Sequence, residues 1–210
     1  MKLAIADPPY LGRADRWYGA GRGGGRTRAD GNYVKNGRKP DLHPDAAEWD
    51  SPERHQQLIA DLERDFDGWA LAGAADSLQV LPEAAPPRAR IGVWAKRNSI
   101  PGGSRVLNRW EPVLFRVPDE RRDRSTGLAV SDILISATNT RQGFLGSKPP
   151  EWTRWVLGLL GYQPDVDELT DVFPGSGIVA RVAEGYLPLP VDPGMSEVAD
   201  TLAEPWKETP

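Results

Sequence analysis

Asp7-Pro8-Pro9-Tyr10 place a carboxylate, two fixed carbonyls and an aromatic ring within four consecutive residues. Each proline holds φ near about −65° and restricts the residue before it, so these groups are presented in a set relation to one another. Oxygen acceptors beside a stacking surface suit a planar amine. The plainer reading is a strand followed by a rigid turn, with Tyr10 as ordinary packing. A second candidate is Phe173-Pro174-Gly175-Ser176-Gly177, where two glycines allow backbone N–H groups to approach a ligand closely. It is not a P-loop, because Ile178-Val179 stand where a Lys-Ser/Thr pair would be. Taken alone, it is equally a tight strand-to-helix turn.

Both motifs need elements to hold them. The apolar run Leu3-Ala4-Ile5-Ala6 reads as a buried strand ending at Asp7. Residues 168–173 read as a strand, 174–177 as the turn and 178–184 as a short helix. Ser51-Pro52 offers an N-cap and a first-turn proline, and Leu58, Ile59, Leu62 and Phe66 follow at helical spacing, so a helix is expected over 52–66, ended by Gly68. Further strands are expected at 69–71, 90–94, 110–117 and 131–136, with Pro112 marking the third of these as an edge or bulged strand. Residues 74–81 look helical up to Pro82. Pro149-Pro150 open a helix over 150–160 with Trp152, Trp155, Val156 and Leu159 on one face. Alternating strands and helices imply an α/β fold with a mostly parallel sheet. Ligands in such sheets sit beyond the carboxyl ends of strands, where both motifs fall. Trp69, Trp94, Trp152 and Trp155 are expected to fill core, whereas Trp17 and Trp49 sit in irregular sequence. His55 is expected on the exposed side of its helix and His43 in a loop.

The 210 residues suffice for one domain with one substantial core. With 27% charged residues and a mean hydropathy of −0.51, no stretch approaches a membrane span, and no basic-then-apolar leader is visible. A cytoplasmic protein that does not engage membranes is therefore expected. The absence of cysteine excludes disulfides, thiolate catalysis and Cys-ligated zinc, and two histidines make a His-rich metal site improbable, so no metal is expected. The net charge of −4 conceals two basic stretches: 11–39 holds eight Lys/Arg against two acids, and 88–124 holds ten against four. Such segments in an acidic chain suit a polyanion, although each also reads as a solvated loop.

Together the two motifs resemble the amino-group DNA methyltransferases that use S-adenosylmethionine. Asp7 to Tyr10 match the catalytic motif of that family and Phe173 to Gly177 its cofactor motif, with Lys148-Pro149 as a third match at the start of the 150–160 helix. The catalytic motif comes first, as in the circularly permuted β class. The resemblance implies one Rossmann-like methyltransferase domain over 1–187, with 11–50 as an active-site and DNA loop, 96–124 as a target-recognition segment, and 188–210 as a tail. It implies that Tyr10 stacks on a flipped adenine and that Asp7 and the Pro8 carbonyl, set by Pro9, accept hydrogen bonds from its amine. Asp at the first position favours adenine N6 over cytosine N4. Phe173, Pro174, Gly175, Ser176, Gly177, Asp171 and Pro149 would line S-adenosylmethionine, with Lys148 near its carboxylate. Arg13, Arg16, Arg22, Arg26, Arg28, Arg105 and Arg109 would grip DNA phosphates.

The chain departs from the family pattern in three places: no further strand and helix precede the strand that ends at Asp7, Glu184 comes early and Asp192 matches poorly the acidic residue that the family places about 20 positions past its cofactor motif, and Ile178-Val179 stand in place of hydroxyl residues. These departures leave open a homodimer or partner subunit that completes the cofactor pocket. Two alternatives stand beside DNA methylation. One is a non-catalytic DNA-binding or regulatory protein on a degenerate methyltransferase fold. The other is a methyltransferase acting on RNA or protein.

Overall fold

The computed structural model describes residues 1–18, 45–98, 105–123, 129–138 and 147–187. Six strands form one sheet: β1 (Lys2–Ala6), β2 (Gly68–Ala72), β3 (Arg90–Lys96), β4 (Trp110–Arg116), β5 (Ile133–Ser136) and β6 (Glu168–Asp171). Their order is β5-β3-β4-β2-β1-β6. β1 runs parallel to β2 and β6, β3 runs parallel to β5, and β4 alone is antiparallel to its neighbours. The expected α/β fold with a mostly parallel, Rossmann-like sheet is therefore present.

Helices cover both faces, which is why β1 reads as a continuous apolar run rather than an alternating one. On one face Leu3, Ile5, Ala70, Ala72, Val113 and Phe115 pack with Trp152, Trp155 and Val156 of α4 (Pro150–Leu160) and Val179 and Val182 of α5 (Ile178–Glu184). On the other, Ala4, Ala6, Trp69, Leu71 and Leu114 pack with Leu58, Ile59 and Leu62 of α2 (Pro52–Asp65). Bulk alternates across the sheet: β2 offers alanines toward the tryptophans of α4, and Trp69 and Leu71 toward α2. Trp69, Trp94, Trp152 and Trp155 are all buried, as expected. Two further short helices are α1 (Ala14–Tyr18) and α3 (Leu81–Ala84).

Several expectations need correction. Residues 11–50 are not wholly irregular, since α1 and a 3-10 turn over Ala46–Asp50 lie within them; 19–44 fall outside the described residues. Pro82 does not stop a helix. A 3-10 turn over Ala75–Gln79 precedes it, and Pro82 occupies the first turn of α3, where its missing N–H has no partner to lose. Pro112 lies in central β4, not at an edge. Its carbonyl accepts from the Gly73 N–H just past the end of β2, so the missing N–H falls beyond the registered β2 pairs. His55 is buried, because it shares the stripe of Leu58, Ile59 and Leu62 that α2 turns inward. Its Nε2–H donates to the Trp49 carbonyl at 2.8 Å. Burial lowers its pKa, and that bond partly offsets the fall.

Gly68 opens β2 rather than ending α2, whose last residue is Asp65. A Cβ there would lie 2.5 Å from Pro118 Cδ, too close for any real contact. Gly68→Ala must displace the Val117-Pro118 bend and is expected to cost about 1–3 kcal/mol, measured as a lower urea midpoint at unchanged slope.

Candidate functional site

β1 and β6 are adjacent and parallel, with Ile5 in register with Asp171. The Val172 N–H donates to the Ile5 carbonyl at 2.9 Å, extending the pairing past the strand end. The Asp7 turn and the Phe173 turn thus leave the same edge of the sheet side by side. Their carboxylates sense each other. Burial pushes the Asp171 carboxyl up and the Asp7 charge adds to the rise, against a 3.3 Å hydrogen bond from the Phe173 N–H.

Asp7 is the centre of a charged cluster. Lys148 Nζ donates to Asp7 Oδ1 at 2.6 Å, to Oδ2 at 2.8 Å and to Tyr10 Oη at 2.8 Å. Tyr10 Oη in turn donates to Glu111 Oε2 at 2.8 Å, and Lys96 pairs with the other Glu111 oxygen. Burial raises the Asp7 carboxyl and the Lys148 ammonium opposes that rise. Burial also pushes Glu111 up, but Lys148, Lys96 and the Tyr10 hydroxyl hold it below the usual carboxylate range. Burial together with Glu111 and Asp7 raises Tyr10 well above the ordinary phenol value, so it remains a hydroxyl. Tyr10 is thereby pinned at its oxygen by two partners, which sets the plane of its ring. The Lys148 side chain is 5% exposed whereas Asp7 retains 27%, so the carboxylate is the member of this pair that solvent or a ligand can reach.

Lys148, which the resemblance sets beside the carboxylate of a cofactor, has its ammonium on Asp7. Glu111 and Lys96 were not anticipated at all. The available signal was a lone Glu in the apolar strand 110–117 facing the end of a strand that closes on Lys. Only the register of β3 with β4, which pairs Trp94 with Glu111, turns that signal into a site.

The Phe173 turn is held by its own backbone. Gly177 N–H donates to the Pro174 carbonyl at 2.6 Å, and Arg181 to the Ser176 carbonyl at 2.8 Å. Gly175 and Gly177 have φ of +39° and +67°, a region that favours glycine. Among the described residues, a Cβ at Gly175 would meet only the Phe173 carbonyl, at 3.6 Å. A cleft of about 430 Å³ begins at Asp171 and runs along α5 to Glu184, lined also by Tyr162, Leu169 and Val179. Its size lies in the range of small-molecule sites, and it sets two carboxylates against apolar walls. Those groups fit a nucleoside-bearing cofactor whose hydroxyls need acceptors and whose rings need apolar contact.

Phe173 also meets the irregular region. Trp49 packs edge-on against its ring at 5.0 Å and is 6% exposed, so this tryptophan is core. The Ala14 and Asp15 N–H groups donate to the Asp50 carboxylate at 2.8 and 3.0 Å, which caps α1.

Pro8 is buried, and Pro149 caps α4 with its carbonyl accepting from the Trp152 N–H at 3.0 Å. Of the arginines expected to face DNA, Arg13 pairs with Asp76 at 2.7 Å, Arg105 is exposed, and Arg109 is exposed with a bond to the Arg97 carbonyl. Arg22, Arg26 and Arg28 lie outside the described residues, as does the side chain of Arg16. Arg121, counted with the second basic stretch, serves the fold instead. Its guanidinium is 9% exposed and grips Asp167 at 2.7 Å. Among the described residues no helix is long and apolar enough to cross a membrane, and no group of three His, Cys, Asp or Glu side chains is placed to hold a metal ion.

No protein-family model and no curated protein matches the chain. Among solved structures, the chain is similar to the crystal structure of an M1.HpyAVI–SAM complex, at 14% identity over 88% of this chain and 77% of that one, with a TM-score of 0.48.

Proposed function

We propose that the chain is a methyltransferase acting on an exocyclic amine, with S-adenosylmethionine as the methyl donor. More narrowly, the reading is transfer to N6 of adenine in DNA. The observation that carries it is the placement of Asp7-Pro8-Pro9-Tyr10 and Phe173-Pro174-Gly175-Ser176-Gly177 at the carboxyl ends of adjacent parallel strands. One turn offers acceptors for an amine and the other a glycine turn beside a cleft.

Asp7 accepts from the amine through the lone pairs that Lys148 leaves free, and the Pro8 carbonyl is the second acceptor. Both draw the N–H hydrogens to one side, so the nitrogen lone pair points away from them. Tyr10 stacks on the base, its ring plane fixed by Lys148 and Glu111. Asp171 and Glu184 accept from hydroxyls in the cleft, and the Gly175–Gly177 turn admits close backbone approach. The cofactor supplies an already activated methyl group, so the work of these residues is position and electrostatics. The two basic stretches support a nucleic acid as the bearer of the amine, through exposed Arg105 and Arg109 among the described residues.

The direct test is transfer of labelled methyl from S-adenosylmethionine to mixed-sequence DNA, RNA or protein, followed by mapping of the modified atom. Label at adenine N6 of DNA is expected; label confined to RNA, protein or cytosine N4 would replace the narrower reading. Since stacking on an aromatic ring is worth about 1–3 kcal/mol per base, Tyr10→Ala is expected to slow single-turnover transfer about ten- to a hundredfold. Tyr10→Phe keeps the ring and is expected to lose less. Equal losses in the two variants would show that the hydroxyl, not the ring, is what matters.

A further inference from the structure

The Lys148 ammonium has three N–H bonds, and Asp7 Oδ1, Asp7 Oδ2 and Tyr10 Oη take all three. It approaches both Asp7 oxygens, so it fixes the plane of the carboxylate as well as its charge. Lys148 is itself held in place. Pro149 follows it as the cap of α4, and its Nζ lies 5.1 Å from the centre of the Tyr10 ring and 5.4 Å from that of Trp152. The charged groups around Asp7 come from every neighbouring element: Lys148 before α4, Glu111 on β4, Lys96 on β3 and Asp171 on β6, with the Tyr10 and Tyr18 hydroxyls nearby. With all four charged, Asp7 and Glu111 balance Lys148 and Lys96, so removing one charge leaves the cluster with a net charge.

We propose that Lys148 is a positioning residue for Asp7: its ammonium keeps the carboxylate ionised and oriented, leaving one lone pair on each oxygen for the amine of the acceptor, while Glu111 accepts from Tyr10 and Lys96 pairs with Glu111. This rests on the reading of Asp7 as the group that receives the amine. A carboxylate accepts from N–H bonds, whereas its protonated form offers a competing O–H donor. A buried carboxylate without a cation takes up its proton at higher pH, so Lys148 sets the pH above which Asp7 can serve.

The test follows two readouts in wild type, Lys148→Met, Lys148→Arg and Glu111→Gln. The first is the pH profile of single-turnover methyl transfer. The second is the ¹³C titration of the Asp7 carboxyl, assigned by its loss in Asp7→Asn. In Lys148→Met the acid limb of transfer and the Asp7 titration are expected to rise together by one pH unit or more. Lys148→Arg is expected to restore much of the shift. Glu111→Gln removes a negative neighbour and is expected to move the Asp7 titration the opposite way. An Asp7 titration that coincides in wild type and Lys148→Met overturns the proposal, as does a rate loss that is the same at every pH. If Lys148→Met fails to unfold cooperatively, Lys148→Gln, which keeps a hydrogen-bond donor without the charge, decides by the same two readouts. If wild type transfers no methyl group, the functional reading falls while the carboxyl titration still judges the role of Lys148.

Discussion

Asp7→Ala is expected to lower methyl transfer by about a thousandfold, in line with the loss of one preorganised polar group at a reacting centre together with misplacement of the amine. The substitution has a second consequence. It leaves the Lys148 ammonium, 5% exposed, without the carboxylate that takes two of its three hydrogen bonds. Removing one partner of a buried pair typically costs about 3–5 kcal/mol, so part of any activity loss could be loss of folded protein. The double substitution Asp7→Ala/Lys148→Met separates the two effects. It removes both charges, so it is expected to recover stability over Asp7→Ala while leaving transfer as low. Urea unfolding and single-turnover rates on the same preparations, completed as a double-mutant cycle with Lys148→Met, report both. Retained transfer in a folded Asp7→Ala protein would remove Asp7 from the reaction.

A stability effect of the same size is expected away from the site. The Asp167 side chain has no exposed surface and receives Arg121, the Met1 ammonium at 3.1 Å and the Gln163 N–H at 2.8 Å. The same guanidinium donates to the Gly161 carbonyl at 2.7 Å, so one ion pair joins the start of β1, the segment after β4, the end of α4 and the approach to β6. Asp167→Ala strands the Arg121 charge in the interior and is expected to cost about 3–5 kcal/mol. Burial pushes the Asp167 carboxyl up, but Arg121, Gln163 and the Met1 ammonium outweigh burial and hold it below the ordinary value. A depressed folded-state pKa contributes stability that is present above the unfolded carboxylate pKa of about 4 and is lost as pH falls through the lower, folded value. Wild type is therefore expected to lose stability below about pH 4 more steeply than Asp167→Ala. Parallel slopes in urea titrations across that range would argue against the pair.

The elements that carry the two motifs were legible because local signals agreed. Leu3–Ala6 could only be a strand buried on both faces, Ser51-Pro52 with its apolar stripe marked α2, and two prolines followed by four large apolar residues marked α4 from its first residue to its last. What was not legible depended on partners distant in sequence. Pro112 argued against a central strand because the sequence does not say that β2 ends one residue short of it. His55 looked like a surface residue because its partner, the Trp49 carbonyl, is a backbone atom in a segment without periodicity. Gly68 reads as a helix stop because Pro118, which leaves no room for a Cβ there, lies 50 residues away in sequence. The site divides in the same way. Asp7 and Tyr10 were visible as a motif, while the use of Lys148 was not, since 141 residues separate it from the carboxylate it grips. Glu111 and Lys96 carry no motif, and strand register alone brings them to Tyr10.

The bond from Asp50 to the start of α1 has a consequence for how this chain can vary. Two backbone amides of α1 and the carboxylate that closes the 3-10 turn ahead of α2 tie the exit from the Asp7 turn to the entry of α2. Position 50 is therefore open only to side chains that keep an oxygen acceptor, because alanine there removes the cap of α1, at about 0.5–2 kcal/mol. Exchange among such acceptors leaves the first helix after the Asp7 turn in place, whereas their loss unfastens it.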